Sequence, residues 1–236
     1  MIFLMMMKEK KMTFSDEEKP RFKKIIEEAN CILLSTESIQ SFPFSVKKVV
    51  KEKSNIVCRS FEKCAMYGFD AIDFGSKDAI LQKRNDRYII FYNESNQVTK
   101  KRKVFSVAHE FGHFIMEHKL DDKEKYGLYE IEANFFAAQL LMPEQVINEL
   151  RRRGLEINKS KLQKWFGISG EAAQKRIDTL RKVDYSNCTD YEKEMNNYIV
   201  KKFASFIDSI APSPNLFTTF DPYEEEELQK ERDSWY

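Results

Sequence analysis

The sequence predicts an α+β fold: a small, mostly antiparallel sheet packed on one long helix, followed by an all-helical, helix-turn-helix-like bundle. Three observations predict it. Short β-branched and aromatic runs, bounded by turn residues, lie between residues 55 and 92. From Arg102 onward the apolar periodicity becomes helical and stays so. The chain of 236 residues can bury one substantial core, or one core plus a small satellite.

Ser15 followed by Glu18 has the spacing of a capping box, which predicts an amphipathic helix from there to about Leu34. Pro43 and Ser45 introduce a short helix with Val46, Val49 and Val50 inward. Extended runs follow at Asn55–Phe61, Phe69–Phe74, Ala79–Gln82 and Arg87–Tyr92. The last, Tyr88-Ile89-Ile90-Phe91-Tyr92, is the firmest strand. Helices are predicted over Arg102–Glu117, Tyr126–Leu141 and Pro143–Arg153, the third stopped by Gly154. Two shorter helices, Lys159–Phe166 and Gly170–Lys182, flank Gly167-Ile168-Ser169, and a final one spans Tyr191–Ile210. The expected organisation is a disordered N-terminus (1–14), a main domain (15–155), a helix-turn-helix-like bundle (156–186) and a C-terminal helix with an acidic tail (187–236).

Composition narrows the function classes. The formal net charge is +1, so no whole-chain basic excess argues for nucleic acid. Charge is uneven: residues 145–186 hold ten Lys/Arg against five Asp/Glu, and 187–236 hold five against eleven. The tail reads as a solvated acidic end. Four cysteines without CxxC spacing read as reduced, mostly buried thiols of a cytosolic protein. Met1–Met7 is too short for a signal sequence, and no run approaches the roughly 20 apolar residues of a membrane span. The expected compartment is the cytoplasm; oligomeric state is not legible.

All three histidines, His109, His113 and His118, fall within ten residues. Two frame His109-Glu110-Phe111-Gly112-His113, an H-E-x-x-H pattern. Residues i and i+4 share a helix face, so both imidazoles can reach one Zn2+ ion. Glu110, one step round the helix, is placed to act as general base on water beside that ion. A buried apolar helix (Val104, Phe105, Val107, Ala108, Phe111, Phe114) has little use for such groups unless something pairs them. Position 116 is Met rather than Gly, so the extended H-E-x-x-H-x-x-G-x-x-H pattern is absent. His118 lies about 140° round the helix from His113, which suits a supporting role rather than ligation. For the third ligand, Glu132 shares its face with Leu128, Phe135 and Phe136 and is favoured. Glu130, on a more polar face beside Tyr126 and Asn134, is the alternative.

Two stretches carry a resemblance. Arg102-x-x-Phe105-Ser106-x-Ala108-His109-Glu110-Phe111-Gly112-His113, followed by Glu132-Ala133-Asn134-x-Phe136-Ala137-Ala138-x-Leu140-Leu141-Met142-Pro143, resembles the ImmA/IrrE family of bacterial metallopeptidases over residues 20–183. The resemblance implies a gluzincin-like layout, zinc ligands at His109, His113 and Glu132, and Glu110 as catalytic base. It also implies a narrow endopeptidase whose protein substrate is a helix-turn-helix repressor of a mobile element, prophage or stress response. Ser106 stands where many members carry Thr, and the acidic tail has no counterpart in the family pattern.

Residues 162–177 fit a helix, a tight Gly167 turn and a Ser169-capped second helix. Lys175 and Arg176 are the candidate nucleic-acid contacts there. Gly170 and Glu171 are weak base readers, so scaffolding or protein docking is favoured over DNA. The competing functions are a zinc-containing DNA-binding regulator and a non-catalytic repressor-binding protein. Glu110 argues against the second of these.

Overall fold

A computed structural model describes residues 19–75, 77–95, 97–119, 121–181 and 188–212. The proposed Ser15–Glu18 capping box and the tail after Pro212 lie outside these residues. In order, the elements are α1 (Phe22–Ser35), α2 (Val46–Lys53), β1 (Val57–Ser60), β2 (Ala79–Arg84), β3 (Arg87–Tyr92), α3 (Lys100–Ile115), α4 (Tyr126–Leu141), α5 (Glu144–Arg152), α6 (Lys159–Phe166), α7 (Gly170–Leu180), α8 (Asp190–Lys202) and α9 (Ala204–Ile210). The α+β class holds. None of the described helices is long and apolar enough to cross a membrane.

The sheet has the order β1-β3-β2 and is mixed. β2 and β3 form the expected antiparallel hairpin, with Leu81 opposite Ile90. Asn85 and Asp86 both have positive φ at its turn, the backbone of a type I′ connection that matches strand twist. β1 joins the other side of β3 in parallel, with Val57 opposite Ile89, because the chain returns through two 3-10 turns before β2. One of these turns, Ala71–Phe74, replaces part of the extended run expected at Phe69–Phe74. Asp70 accepts a hydrogen bond from Ile72 N–H and starts the turn locally, which outweighs the aromatic strand preference.

Central β3 is covered on both faces. Ile90 and Tyr92 enter the main core, whereas Ile89 and Phe91 enter a second cluster with Cys64 and Phe74. Phe91 stacks on Phe74 at 5.4 Å. Edge strand β2 lies against α3, so the sheet backs the H-E-x-x-H helix.

Helices α3 and α4 are the most extensively packed pair, and Gly112 sets their separation. A Cβ at Gly112 would stand 2.9 Å from Phe136 Cδ1 and 3.2 Å from Phe136 Cβ. Phe136 packs edge-on against Phe111 at 6.0 Å. The absent side chain thus lets the backbone of α3 approach α4.

The helical segment after residue 156 belongs to the same core: Leu162, Phe166, Ile177 and Leu180 cluster with Phe111, Phe136 and Leu140. Phe42, just before α2, packs on Phe166 at 5.1 Å and on Phe203 at 4.6 Å. Gly167 adopts φ +65°, and a Cβ there would meet Pro43 at 2.8 Å. Ser169 caps α7 through Ala172 N–H. The helix-turn-helix shape is therefore present, tied down by Pro43 and the aromatic cluster. The single helix expected at Tyr191–Ile210 is instead two, α8 and α9, interrupted at Phe203. Thr189 and Glu192 form a capping box at the start of α8.

The pair proposed to contact nucleic acid splits. Lys175 is exposed and pairs with Glu171 at 2.7 Å. Arg176 is 1 % exposed; its guanidinium points inward, where Nε donates to Met142 carbonyl (3.0 Å) and Nη2 to Gln139 Oε1. The expectation of a phosphate contact at Arg176 is corrected: adjacent helix positions differ by about 100°, so one side chain of the pair faces solvent and the other the core. The cysteines are also less buried than expected. All four are free, with Cys64 buried, Cys58 and Cys188 partly so, and Cys31 exposed.

Two stability predictions follow from this packing. Gly112→Ala gains up to about 1 kcal/mol in helix propensity but overpacks the α3–α4 contact by about 1–3 kcal/mol. We expect net destabilisation of about 1–2 kcal/mol by urea denaturation; a more stable variant would mean that the helices are free to separate. Arg176→Ala should cost on the order of 3 kcal/mol, through a cavity and stranded polar acceptors. Lys175→Ala should stay within about 0.5 kcal/mol of wild type. Equal effects at both positions would contradict the inward orientation of Arg176.

Candidate metal centre

Helix α3 is capped by Thr99, which accepts from Arg102 N–H at 3.3 Å. Its inner face carries Val107, Ala108, Phe111, Gly112 and His113. The i, i+4 spacing brings His109 and His113 together, with their Nε2 atoms 3.0 Å apart. From α4, Glu130 closes the group: Oε2 lies 3.5 Å from His109 Nε2 and Oε1 lies 3.4 Å from His113 Nε2. These three side chains form the one cluster among the described residues whose donor atoms can converge on a cation.

The donor set fits zinc. Ligand atoms about 2.0–2.1 Å from a tetrahedral zinc stand about 3.3 Å from one another, close to the spacings observed. Two imidazoles and a carboxylate are a zinc-type set, and three protein donors leave a coordination position open. Burial lowers the pKa of His113, outweighing the opposing effect of the nearby Glu130 carboxylate, so the ring favours its neutral form. At His109 burial also opposes charge, but Glu130 and Glu110 outweigh it and raise the pKa. Glu130 itself is held well below the usual carboxylate range; burial works against this, and the two histidine rings beside it prevail. A ring between two carboxylates is a place where positive charge is stabilised.

Glu132 occupies a different position from the one its sequence neighbours suggested. It is fully buried, as its apolar face implied, yet its partners are Arg21 and His118. Residues 130 and 132 are about 200° apart on the helix, so only one can face the histidine pair, and that one is Glu130. The need for a buried carboxylate to find a positive partner is met by a guanidinium instead of a metal. Arg21 donates to Glu132 from its backbone N–H (2.7 Å), from Nε (3.0 Å) and from Nη2 (2.6 Å). These contacts and His118 hold the Glu132 pKa at about 2 against the opposing effect of burial.

His118 reaches this network through the end of α3. The helix stops at Ile115, and Glu117 takes φ +56°. His118 N–H then donates to His113 carbonyl at 3.0 Å, and Glu117 N–H to Phe114 carbonyl at 3.1 Å. This is the double hydrogen bond of a Schellman turn, with a glutamate where glycine is usual. The turn folds His118 back, so its Nδ1 lies 2.9 Å from His113 Nδ1 and its Nε2 lies 2.8 Å from Glu132 Oε2. The 140° offset of a continued helix no longer applies. Tyr129 stacks on the His118 ring at 4.3 Å.

Two further groups bear on the centre. Asn134, one turn along α4 from Glu130, donates to the Glu130 carbonyl at 2.7 Å, and its side chain also hydrogen-bonds His109. Glu110 Oε2 accepts from Leu81 N–H at 2.7 Å, so the edge of β2 fixes this carboxylate. Burial raises the Glu110 pKa, against the charge of His109 and the Leu81 hydrogen bond. A cleft of about 1660 Å³ runs from Tyr126, Glu130 and Asn134 along α1 and α4 to Tyr191 and Met195 of α8. Asn134 stood in the motif already quoted, whereas nothing in the local sequence around Arg21 marks it.

No curated protein matches the chain. Residues 71–178 match the family profile described as the IrrE N-terminal-like domain, Peptidase_M78, which spans β2, β3, the H-E-x-x-H helix, α4 and nearly all of α7. Over those residues the chain is similar to the IrrE N-terminal-like domain, which is consistent with the ImmA/IrrE resemblance of its paired motifs.

Proposed function

We propose that this chain is a zinc-dependent endopeptidase, with zinc held by His109, His113 and Glu130 and with Glu110 as general base. The observation that carries the reading is the spacing of the three donor groups, 3.0–3.5 Å apart, one of which, Glu130, lines a long cleft. Zinc in such a place supplies Lewis acidity, acidifying water and polarising the scissile carbonyl. Glu110 takes the proton from the attacking water and delivers it to the departing amine. Its hydrogen bond to Leu81 N–H holds the carboxylate in one orientation for both transfers. Burial keeps its pKa above the ordinary glutamate value, nearer to the neutral range at which a base works best.

The cleft is lined by apolar Phe22, Ile26, Phe105, Ile131 and Phe135, with charged Lys23 and Glu27 at its sides. Such a groove suits an extended stretch of a specific protein. The substrate we propose is an intracellular helix-turn-helix repressor, on the strength of the ImmA/IrrE resemblance. The inward Arg176 and the Glu171-paired Lys175 offer little to a DNA-binding alternative.

The first test is co-expression with a repressor-like protein encoded beside this gene, with fragments mapped by mass spectrometry. Glu110→Gln should retain about one zinc per chain and lose cleavage by at least about 10²-fold. Glu130→Ala should lose both zinc and cleavage. Wild-type zinc binding in Glu130→Ala would sink the ligand assignment, and wild-type cleavage by Glu110→Gln would sink the mechanism. The pH profile offers a second check. Glu110 must be ionised to accept a proton, and its pKa is raised, so kcat/KM should fall as pH drops through a value above 4.5. An acid limb below that value would assign the base elsewhere.

A further inference from the structure

Four side chains form a one-way hydrogen-bond chain that ends on a proposed ligand. Carboxylate oxygens only accept, so His118 Nε2 must donate to Glu132 at 2.8 Å. Where that is the ring's single proton, His118 presents a lone pair at Nδ1. His113 Nδ1 lies 2.9 Å away and must be the donor there. With its proton on Nδ1, His113 carries its lone pair on Nε2, the atom facing His109 and Glu130. Were the chain reversed, His113 would aim an N–H at the site and could not ligate a cation through that nitrogen.

Arg21 sets the direction of this chain. Its backbone N–H, Nε and Nη2 supply three donors to Glu132, which leaves the carboxylate no role except acceptance from His118. Nη2 also donates to the Met116 carbonyl at 3.2 Å, tying the arm before α1 to the end of the H-E-x-x-H helix. Glu132 and His118 side chains are fully buried, so water has no access to replace either. Arg21 lies outside residues 71–178, the segment that the family profile covers.

We propose that Arg21, Glu132 and His118 are positioning residues that lock His113 in its Nδ1–H tautomer and thereby set the affinity of the centre for zinc. The inference rests on the peptidase reading, because it takes His113 as a ligand. The arm before α1 is then part of the metal centre, acting through three hydrogen-bonded links without touching the ion. Partners of this kind typically contribute 10–100-fold to metal affinity.

The test is zinc affinity of the full-length chain, measured by competition with a chromophoric chelator, with folding of each variant checked by circular dichroism. His118→Phe keeps the ring on Tyr129 and removes both nitrogens. Glu132→Gln keeps the shape and removes the charge. Arg21→Gln changes a partly exposed side chain, so it preserves a folded protein should either buried change fail. Each should weaken zinc binding 10–100-fold at unchanged stoichiometry, and Arg21→Lys should lie between Arg21→Gln and wild type. A purely structural network would lower thermal stability and leave the zinc affinity of the folded variants at the wild-type value. That result, with His113→Ala still losing zinc, would overturn the proposal alone. Undiminished zinc binding by His113→Ala would instead overturn the peptidase reading beneath it.

Discussion

The contact between α3 and α4 at Gly112 is the constraint on which the rest of the centre depends. Two helices that meet through a glycine and the edge of Phe136 stand closer than helices separated by larger side chains. At that separation Glu130 comes within 3.4–3.5 Å of both histidines. One added methyl group acts on the geometry of the centre as well as on the core, because the same contact serves both. The sheet completes the arrangement from the other side: β2 lies against α3, and its edge N–H at Leu81 fixes Glu110.

The centre places several ionisable groups against an apolar core, a costly arrangement unless each finds a partner. The partners are distributed by helix phase. On one side of α4, Glu130 and Asn134 serve the histidine pair; on the other, Glu132 serves His118 and Arg21. The two carboxylates are therefore separated in role as well as in space. One faces the open cleft, and the other is sealed on the far side of His113. The Schellman turn at Glu117 links the two sides, since it is the bend that carries His118 under the ring of His113.

Much of this was legible from local pattern. The H-E-x-x-H spacing, the α4 boundaries at Tyr126–Leu141, and the Gly167 turn with its Ser169 cap all follow from rules that act within a few residues. The buried state of Glu132 was legible too, from its apolar neighbours. Its partner was not, because Arg21 lies 111 positions away and nothing near it in sequence marks it. The same limit applies to β1, whose parallel pairing depends on how the intervening 3-10 turns route the chain. It applies also to Arg176, whose inward direction depends on the approach of α4 and α5.

The sequence by itself determined the helical pair His109 and His113, the carboxylate of Glu110 beside them, and the α+β succession of elements. Those are matters of periodicity, capping and turn chemistry, which operate over one or two helical turns. Only the tertiary structure decided which glutamate of α4 meets the histidines, what neutralises the other, and how His118 comes to orient His113. Each of these is set by the rotation and separation of packed helices. A rotation of 200° along α4 exchanges the roles of Glu130 and Glu132, and no local signal in a single helix records which face its neighbour will cover.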